Sequence, residues 1–222
     1  MNIRENLREV LTDLPQGVRL VAVSKFHPVE ALEEAYGAGQ RIFGENKVQE
    51  MSAKQEVLPK DIEWHFIGHL QTNKIKYIAP YVTLIHGIDS YKLLSEVNKL
   101  AVQNGRVIDC LLQLHIAQEE TKFGFSFEEC RKMLTEGEWK KLTHIRICGL
   151  MGMASNTENE EQVRGEFRSL KNFFDEIKET HYANRAEFRE LSMGMSHDYR
   201  MAVAEGSTLV RVGSKIFGER IY

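Results

Sequence analysis

Cysteine is scarce: Cys110, Cys130 and Cys148 lie far apart in 222 residues, and none has a CxxC neighbour. That spacing argues against a disulfide framework or a zinc ribbon, and leaves the thiols as small buried hydrophobes of a reducing compartment. No apolar stretch approaches the roughly 20 residues of a membrane span. The first residues, Met1-Asn2-Ile3-Arg4-Glu5-Asn6, carry charge where a secretory signal needs an apolar core. Neither sign of charge dominates, and a net charge of −3 gives no general drive toward nucleic acid or an anionic membrane. With no Pro/Gly/Ser-rich tract and no repeat of fixed period, nothing marks a linker between domains. The expectation is a cytoplasmic chain forming one domain over residues 1–222.

What the chain does have is alternation. Eight short apolar runs occur in order: Leu20 to Ser24, Arg41 to Gly44, Trp64 to Gly68, Val82 to Gly87, Ile108 to His115, Ile145 to Met151, Phe188 to Met193, and Thr208 to Val212. Helical patterns separate them. Such alternation predicts an α/β fold, and eight units predict a closed (β/α)8 TIM barrel. Ile3, Leu7, Val10, Leu11 and Leu14 recur at helical spacing before the first run and predict an extra N-terminal helix. Pro28 suits the first position of the next helix, Ser126 with Glu129 forms a capping box, and Val163, Phe167, Leu170, Phe174 and Ile177 make the longest apolar stripe. These stripes read as core faces.

A barrel of this kind builds its ligand face from the segments that follow the strands. Lys25 ends the run Leu20-Val21-Ala22-Val23-Ser24. A lysine partly withdrawn from water there frees an amine to attack a carbonyl; the alternative is an ammonium that snorkels into solvent. Ser192, Gly213 and Ser214 bring hydroxyls and backbone N–H groups to the last two strand ends, where barrels commonly hold a phosphate. Helix starts are expected at about Ser196 and Ser214, so both serines can serve as caps instead. Arg211 alternates with Val210 and Val212 and so points inward, either to an internal carboxylate or to a ligand. Amine, phosphate cradle and inward arginine together are the handles that pyridoxal 5'-phosphate requires. A metal site on His65 and His69 is weak, because their segment reads as a strand, and Gly213-Ser214-Lys215 lacks the earlier glycine of a P-loop.

The motifs Ala22-Val23-Ser24-Lys25, Phe43-Gly44-Glu45-Asn46, His65-Phe66-Ile67-Gly68-His69-Leu70-Gln71, Gly149-Leu150-Met151, Ser192-Met193-Gly194-Met195-Ser196 and Arg211-Val212-Gly213 are spread across nearly the whole chain. In these the sequence resembles the pyridoxal phosphate homeostasis protein family, the YggS/PROSC group. The resemblance implies an alanine racemase N-terminal-type barrel that binds pyridoxal phosphate and supports its delivery, without turnover, to apo-enzymes that use it. It implies Lys25 as the Schiff-base lysine, Ser192, Gly213 and Ser214 as phosphate ligands, Arg211 as donor to the pyridine nitrogen, and Asn46 and Met151 as pocket lining. Phe26 and the stretch His197-Asp198-Tyr199-Arg200 depart from the family pattern. Barrel racemases add a tyrosine base from a second domain, which this chain is expected to lack; Tyr222 is a poor substitute. A monomeric carrier is expected, with a weak amino-acid racemase, or a cofactor-free Schiff-base enzyme acting on a phosphorylated carbonyl, as the alternatives.

Overall fold

The computed structural model describes residues 2–118 and 123–219, so Tyr222 lies outside the described residues. Eight parallel strands pair in chain order and close on themselves, the first against the last. They are β1 Arg19–Val23, β2 Ile42–Glu45, β3 Glu63–Phe66, β4 Leu84–Ile88, β5 Ile108–His115, β6 Ile145–Met153, β7 Glu190–Met195 and β8 Leu209–Val212. The helices are α1 Ile3–Asp13, α2 Val29–Gly37, α3 Val48–Val57, α4 Ile75–Ile78, α5 Tyr91–Gln103, α6 Phe127–Glu136, α7 Glu160–His181, α8 Tyr199–Ala204 and α9 Ser214–Phe217. The expected barrel with an extra first helix is therefore the observed one.

Buried side chains divide into two clusters separated by the barrel wall. Val21, Leu84, Leu111, Cys148, Met151 and Leu209 fill the inside, while Leu20, Ala22, Val210 and Val212 belong to the larger cluster between wall and helices. Because successive residues of a strand face opposite sides, burial on both sides requires the unbroken apolar runs seen in the sequence. All five residues of the predicted α7 stripe are buried, and Ser126 and Glu129 form the expected capping box. All three cysteines are buried and free.

The differences are local. Pro28 is the cap before α2, in an extended conformation, rather than its first residue. Leu11 faces outward from α1, where Ile3, Leu7 and Val10 make the buried face. The helix expected at Ser196 starts at Tyr199, with Asp198 as its cap residue. Tyr199 and Arg200 both bond Asp13 of α1, at 2.6 Å each, so the unusual stretch at 197–200 pins the extra helix to the barrel. Two strands end two residues later than expected: β6 runs on to Met153 and β7 to Met195. A displacement of two residues preserves which face a side chain occupies but changes its depth in the barrel.

Candidate cofactor site

The C-terminal mouth of the barrel holds a cleft of about 270 Å³. Lys25, Asn46, Arg211, Gly213 and Ser214 line it together with Ser196, His27, His197 and Met153. Five of the seven residues singled out from the sequence thus converge. Met151 and Ser192 do not line the cleft. Met151 is 1% exposed in the inner cluster, and Ser192 is fully buried beneath the floor. Both corrections have one cause, the later strand ends: Met153 and Ser196, at and just beyond the true ends of β6 and β7, occupy the mouth instead.

Lys25 follows the end of β1 and is half-buried. Its neighbours are clamped by a network that gave no distinct signal in the sequence. The Nζ of Lys54 donates to the Ser24 carbonyl at 2.8 Å, to Glu45 Oε1 at 2.7 Å and to Glu50 Oε1 at 2.8 Å. Ser24 Oγ donates to Glu45 Oε1 at 2.6 Å, and the Phe26 amide donates to Glu50 Oε1 at 2.6 Å. Phe26 itself has φ 67°, a left-handed conformation that asparagine or glycine adopts more readily than phenylalanine. The turn carrying Lys25 is therefore held from both sides, through Ser24 and through Phe26. In the sequence, Glu50 and Lys54 look like an ordinary surface pair one turn apart, and only the fold buries them.

Burial raises the Glu45 carboxyl to about 7, against the opposing pull of the Lys54 charge and of the bonds from Lys54 and Ser24. Its Oε2 has no partner. An acid whose folded value lies above its ordinary 4.5 binds more protons folded than unfolded between those two values. Stability should therefore fall as pH rises from about 4.5 to about 7 and level off above, by on the order of 3 kcal/mol. Urea unfolding across that window should show the slope in the wild type and a flatter profile in Glu45→Gln.

Arg211 is 4% exposed and points inward from β8. Its Nη2 donates to the Gly152 carbonyl at 3.1 Å and its Nη1 to Ser192 Oγ at 2.5 Å. Among the described residues no carboxylate lies within ion-pair distance, so the internal ion pair is not what holds it. Burial lowers its pKa to about 10, which keeps the guanidinium charged at neutral pH. A buried cation bonded only to neutral acceptors has capacity left for a ligand acceptor on the cleft side.

At the other end of the cleft, the Gly213 amide donates to Ser196 Oγ at 3.1 Å. A Cβ on Gly213 would lie 2.9 Å from the Val23 carbonyl oxygen, so only glycine lets this turn press against the end of β1. The Ser196 and Ser214 hydroxyls and the turn between Gly213 and Ser214 form a compact polar end suited to a phosphate. Asn46 Oδ1 is buried with no hydrogen-bond partner, an acceptor waiting for a ligand donor. The lining fits a phosphorylated aldehyde with a ring acceptor: amine, phosphate end, guanidinium and amide oxygen all face one small volume.

Two other readings separate in space. His65 is inside the barrel and bonds His86, whereas His69 sits at the rim 3.1 Å from Asp89. Among the described residues no cluster suits a metal ion. A depression of about 400 Å³ opens at the opposite mouth, but its arginines are held by carboxylates, Arg19 with Glu190 at 2.7 Å and Arg146 with Asp109 at 2.8 Å. It holds no lysine nucleophile, and barrels carry their chemistry at the other end.

Residues 1–221 match the family model described as alanine racemase, N-terminal domain. The pyridoxal phosphate homeostasis protein of Aquifex aeolicus (strain VF5) is 39% identical over 234 aligned residues, covering all of both chains. That of Schizosaccharomyces pombe (strain 972) is 40% identical and covers 92% of this chain and 85% of its own. The structure of PipY from Synechococcus elongatus PCC7942 with PLP bound superposes with TM-score 0.87 at 37% identity, covering 97% of this chain and all of that one. Without PLP, PipY gives TM-score 0.90 at 38% identity, with the same coverage. Alanine racemase of Clostridium difficile 630 shares the fold at TM-score 0.78, with 14% identity and 56% of its length covered. The chain therefore belongs to the pyridoxal phosphate homeostasis protein family, built on the alanine racemase N-terminal barrel.

Proposed function

We propose that this cleft binds pyridoxal 5'-phosphate and holds it in reserve for enzymes that need it, without turning over a substrate. The observation that carries the reading is the convergence of Lys25, Arg211 and the Ser196/Gly213/Ser214 end on one cleft. The PLP-bound structure of the PipY relative and the names of the relatives support it. When bound, the cofactor supplies an aldehyde for a reversible Schiff base and a conjugated ring. Lys25 provides the amine, the serine and glycine end takes the phosphate, and Asn46 Oδ1 accepts from a ring substituent. Arg211 cannot readily release its proton, so it leaves the ring nitrogen an unprotonated acceptor and the ring a poor electron sink. Among the described residues no tyrosine or second lysine lines the cleft to act as a racemase base. The unprotonated ring nitrogen and the names of the relatives support the carrier reading.

The cleft is built within one chain, and we place the working form as a monomer of 25.6 kDa. Three buried free cysteines accord with a cytoplasmic location.

The test is absorption spectroscopy with added pyridoxal phosphate, followed by borohydride reduction and peptide mass spectrometry, on wild type and Lys25→Ala. A shifted cofactor band and a reduced adduct on Lys25 are expected in the wild type, and neither in Lys25→Ala. Failure of the wild type to bind would overturn the reading in favour of a cofactor-free barrel enzyme. Sustained racemisation of a common amino acid by the loaded protein would overturn the carrier assignment.

A further inference from the structure

The barrel interior contains a polar chain that meets the cleft only at Arg211. His65 Nδ1 lies 3.0 Å from His86 Nε2, and His86 Nδ1 lies 2.9 Å from Ser192 Oγ, which also accepts from Arg211 Nη1. The four residues come from β3, β4, β7 and β8, and none is more than 4% exposed. Of the four only Arg211 lines the cleft, while His65 lines the depression at the opposite mouth. Neighbouring interior positions are Val21, Leu84, Leu111 and Leu209. Apolar residues would fill this space without the desolvation cost that buried polar groups carry, so the chain needs every member satisfied.

Satisfaction fixes the protons. Burial, with repulsion from His65, Arg211 and Arg19, holds the His86 imidazole far below its ordinary value, and burial likewise holds that of His65 at about 3, so both rings are neutral. A neutral imidazole has one donor and one acceptor. If His86 donated from Nδ1 to Ser192, the serine oxygen would accept twice and its own proton would have no acceptor among the described residues. In the reverse order Ser192 donates to His86 Nδ1, His86 Nε2–H donates to His65 Nδ1, and the His65 Nε2–H faces the far mouth. Every bond is then made, and the serine oxygen is left to Arg211 as an acceptor.

We propose that His86 is a positioning residue for Arg211: by accepting the hydrogen bond of the Ser192 hydroxyl at Nδ1 it turns the serine oxygen's lone pairs toward Nη1 and locks the guanidinium in one orientation. The Gly152 carbonyl fixes Nη2. Ser192 thus serves the cleft from below, through Arg211, rather than as a phosphate ligand. The inference rests on the pyridoxal phosphate reading for its consequence. A guanidinium held in place keeps a donor on the ring nitrogen, whereas a loose one lets water protonate that nitrogen.

Two measurements test it. Nitrogen-15 spectra of histidine-labelled protein without cofactor should show His86 and His65 neutral and protonated at Nε2 through the neutral range; an Nδ1–H signal for His86 would overturn the proposal whether or not pyridoxal phosphate binds. In the loaded protein, Ser192→Ala and His86→Leu should each weaken pyridoxal phosphate binding by about tenfold, the loss of one charged hydrogen bond's anchoring. Each should also move the pH titration of the cofactor band, and His86→Asn, which keeps an acceptor, should restore much of it. Ser192→Ala removes only one oxygen and keeps the test available if His86→Leu fails to fold. Folded variants with wild-type affinity and an unmoved titration would overturn the proposal. If the wild type binds no pyridoxal phosphate, the cofactor reading fails, and the nitrogen-15 result alone decides the hydrogen-bond chain.

Discussion

Lys54→Met is expected to destabilise the protein by about 3–5 kcal/mol, the usual cost of removing one partner from a buried ion pair. Lys54 is 5% exposed, and its ammonium holds Glu45, Glu50 and the Ser24 carbonyl at once. Methionine fills nearly the same volume and returns none of those bonds. Glu45, fully buried and already lacking a partner for Oε2, would be left as an uncompensated charge. The penalty should be greatest in mildly alkaline buffer and shrink as pH falls toward the ordinary carboxylate value of 4.5, because a protonated Glu45 no longer needs a cation. Urea unfolding of Lys54→Met at several pH values measures this, and adding Glu45→Gln should recover part of the loss. A uniform loss at every pH would assign the effect to the bond with the Ser24 carbonyl rather than to Glu45. Because the network also fixes Ser24 and Phe26, the folded fraction of Lys54→Met should form the Lys25 adduct more slowly.

Gly149→Ala should be worse still. Gly149 has φ 153°, and a Cβ there would lie 1.8 Å from the Glu190 carbonyl oxygen and 2.7 Å from its carbon. Both are backbone atoms of β7, whose Glu190 is paired with Gly149 in the ladder, so no rotamer change can relieve the contact. The glycine also lies where the β5–β6 register shifts by one residue after Cys110. Overpacking that side chains can absorb costs about 1–3 kcal/mol, and this clash should exceed that range because the β6–β7 seam must part. Loss of the cooperative unfolding transition, or of soluble protein, is the expected result in circular dichroism. Gly165→Ala supplies the contrast. That position is on exposed α7 surface with nothing within 4 Å of the new Cβ, and replacing a helical glycine should stabilise by about 0.5–1 kcal/mol. A Gly149→Ala protein as stable as the wild type would show that the seam is not tight.

The motif Gly149-Leu150-Met151 was thus legible as a signature but not as a device. Its glycine serves the register of the barrel wall, and its methionine fills the interior one layer below the cleft. The same displacement moved Ser192 from the expected phosphate end to the support of Arg211. In both strands a glycine and a methionine, Gly152-Met153 and Gly194-Met195, carry the strand past the expected end, and neither residue pair marks by its pattern where the strand stops. The depth of a side chain along a strand depends on where pairing stops, and that is set by the neighbouring strand.

The sequence by itself determined the fold class, since eight apolar runs alternating with helical stripes leave few ways to bury both faces of every strand. It also singled out Lys25, Arg211 and the Gly213–Ser214 turn, which the fold brings together at one cleft. Only the tertiary structure decided which serine and which methionine reach the mouth, that Glu45, Glu50 and Lys54 share one buried network, and that two histidines join β3 to Arg211. Those outcomes depend on barrel closure, which brings residues from distant strands within hydrogen-bond reach while local spacing records only which face each of them occupies.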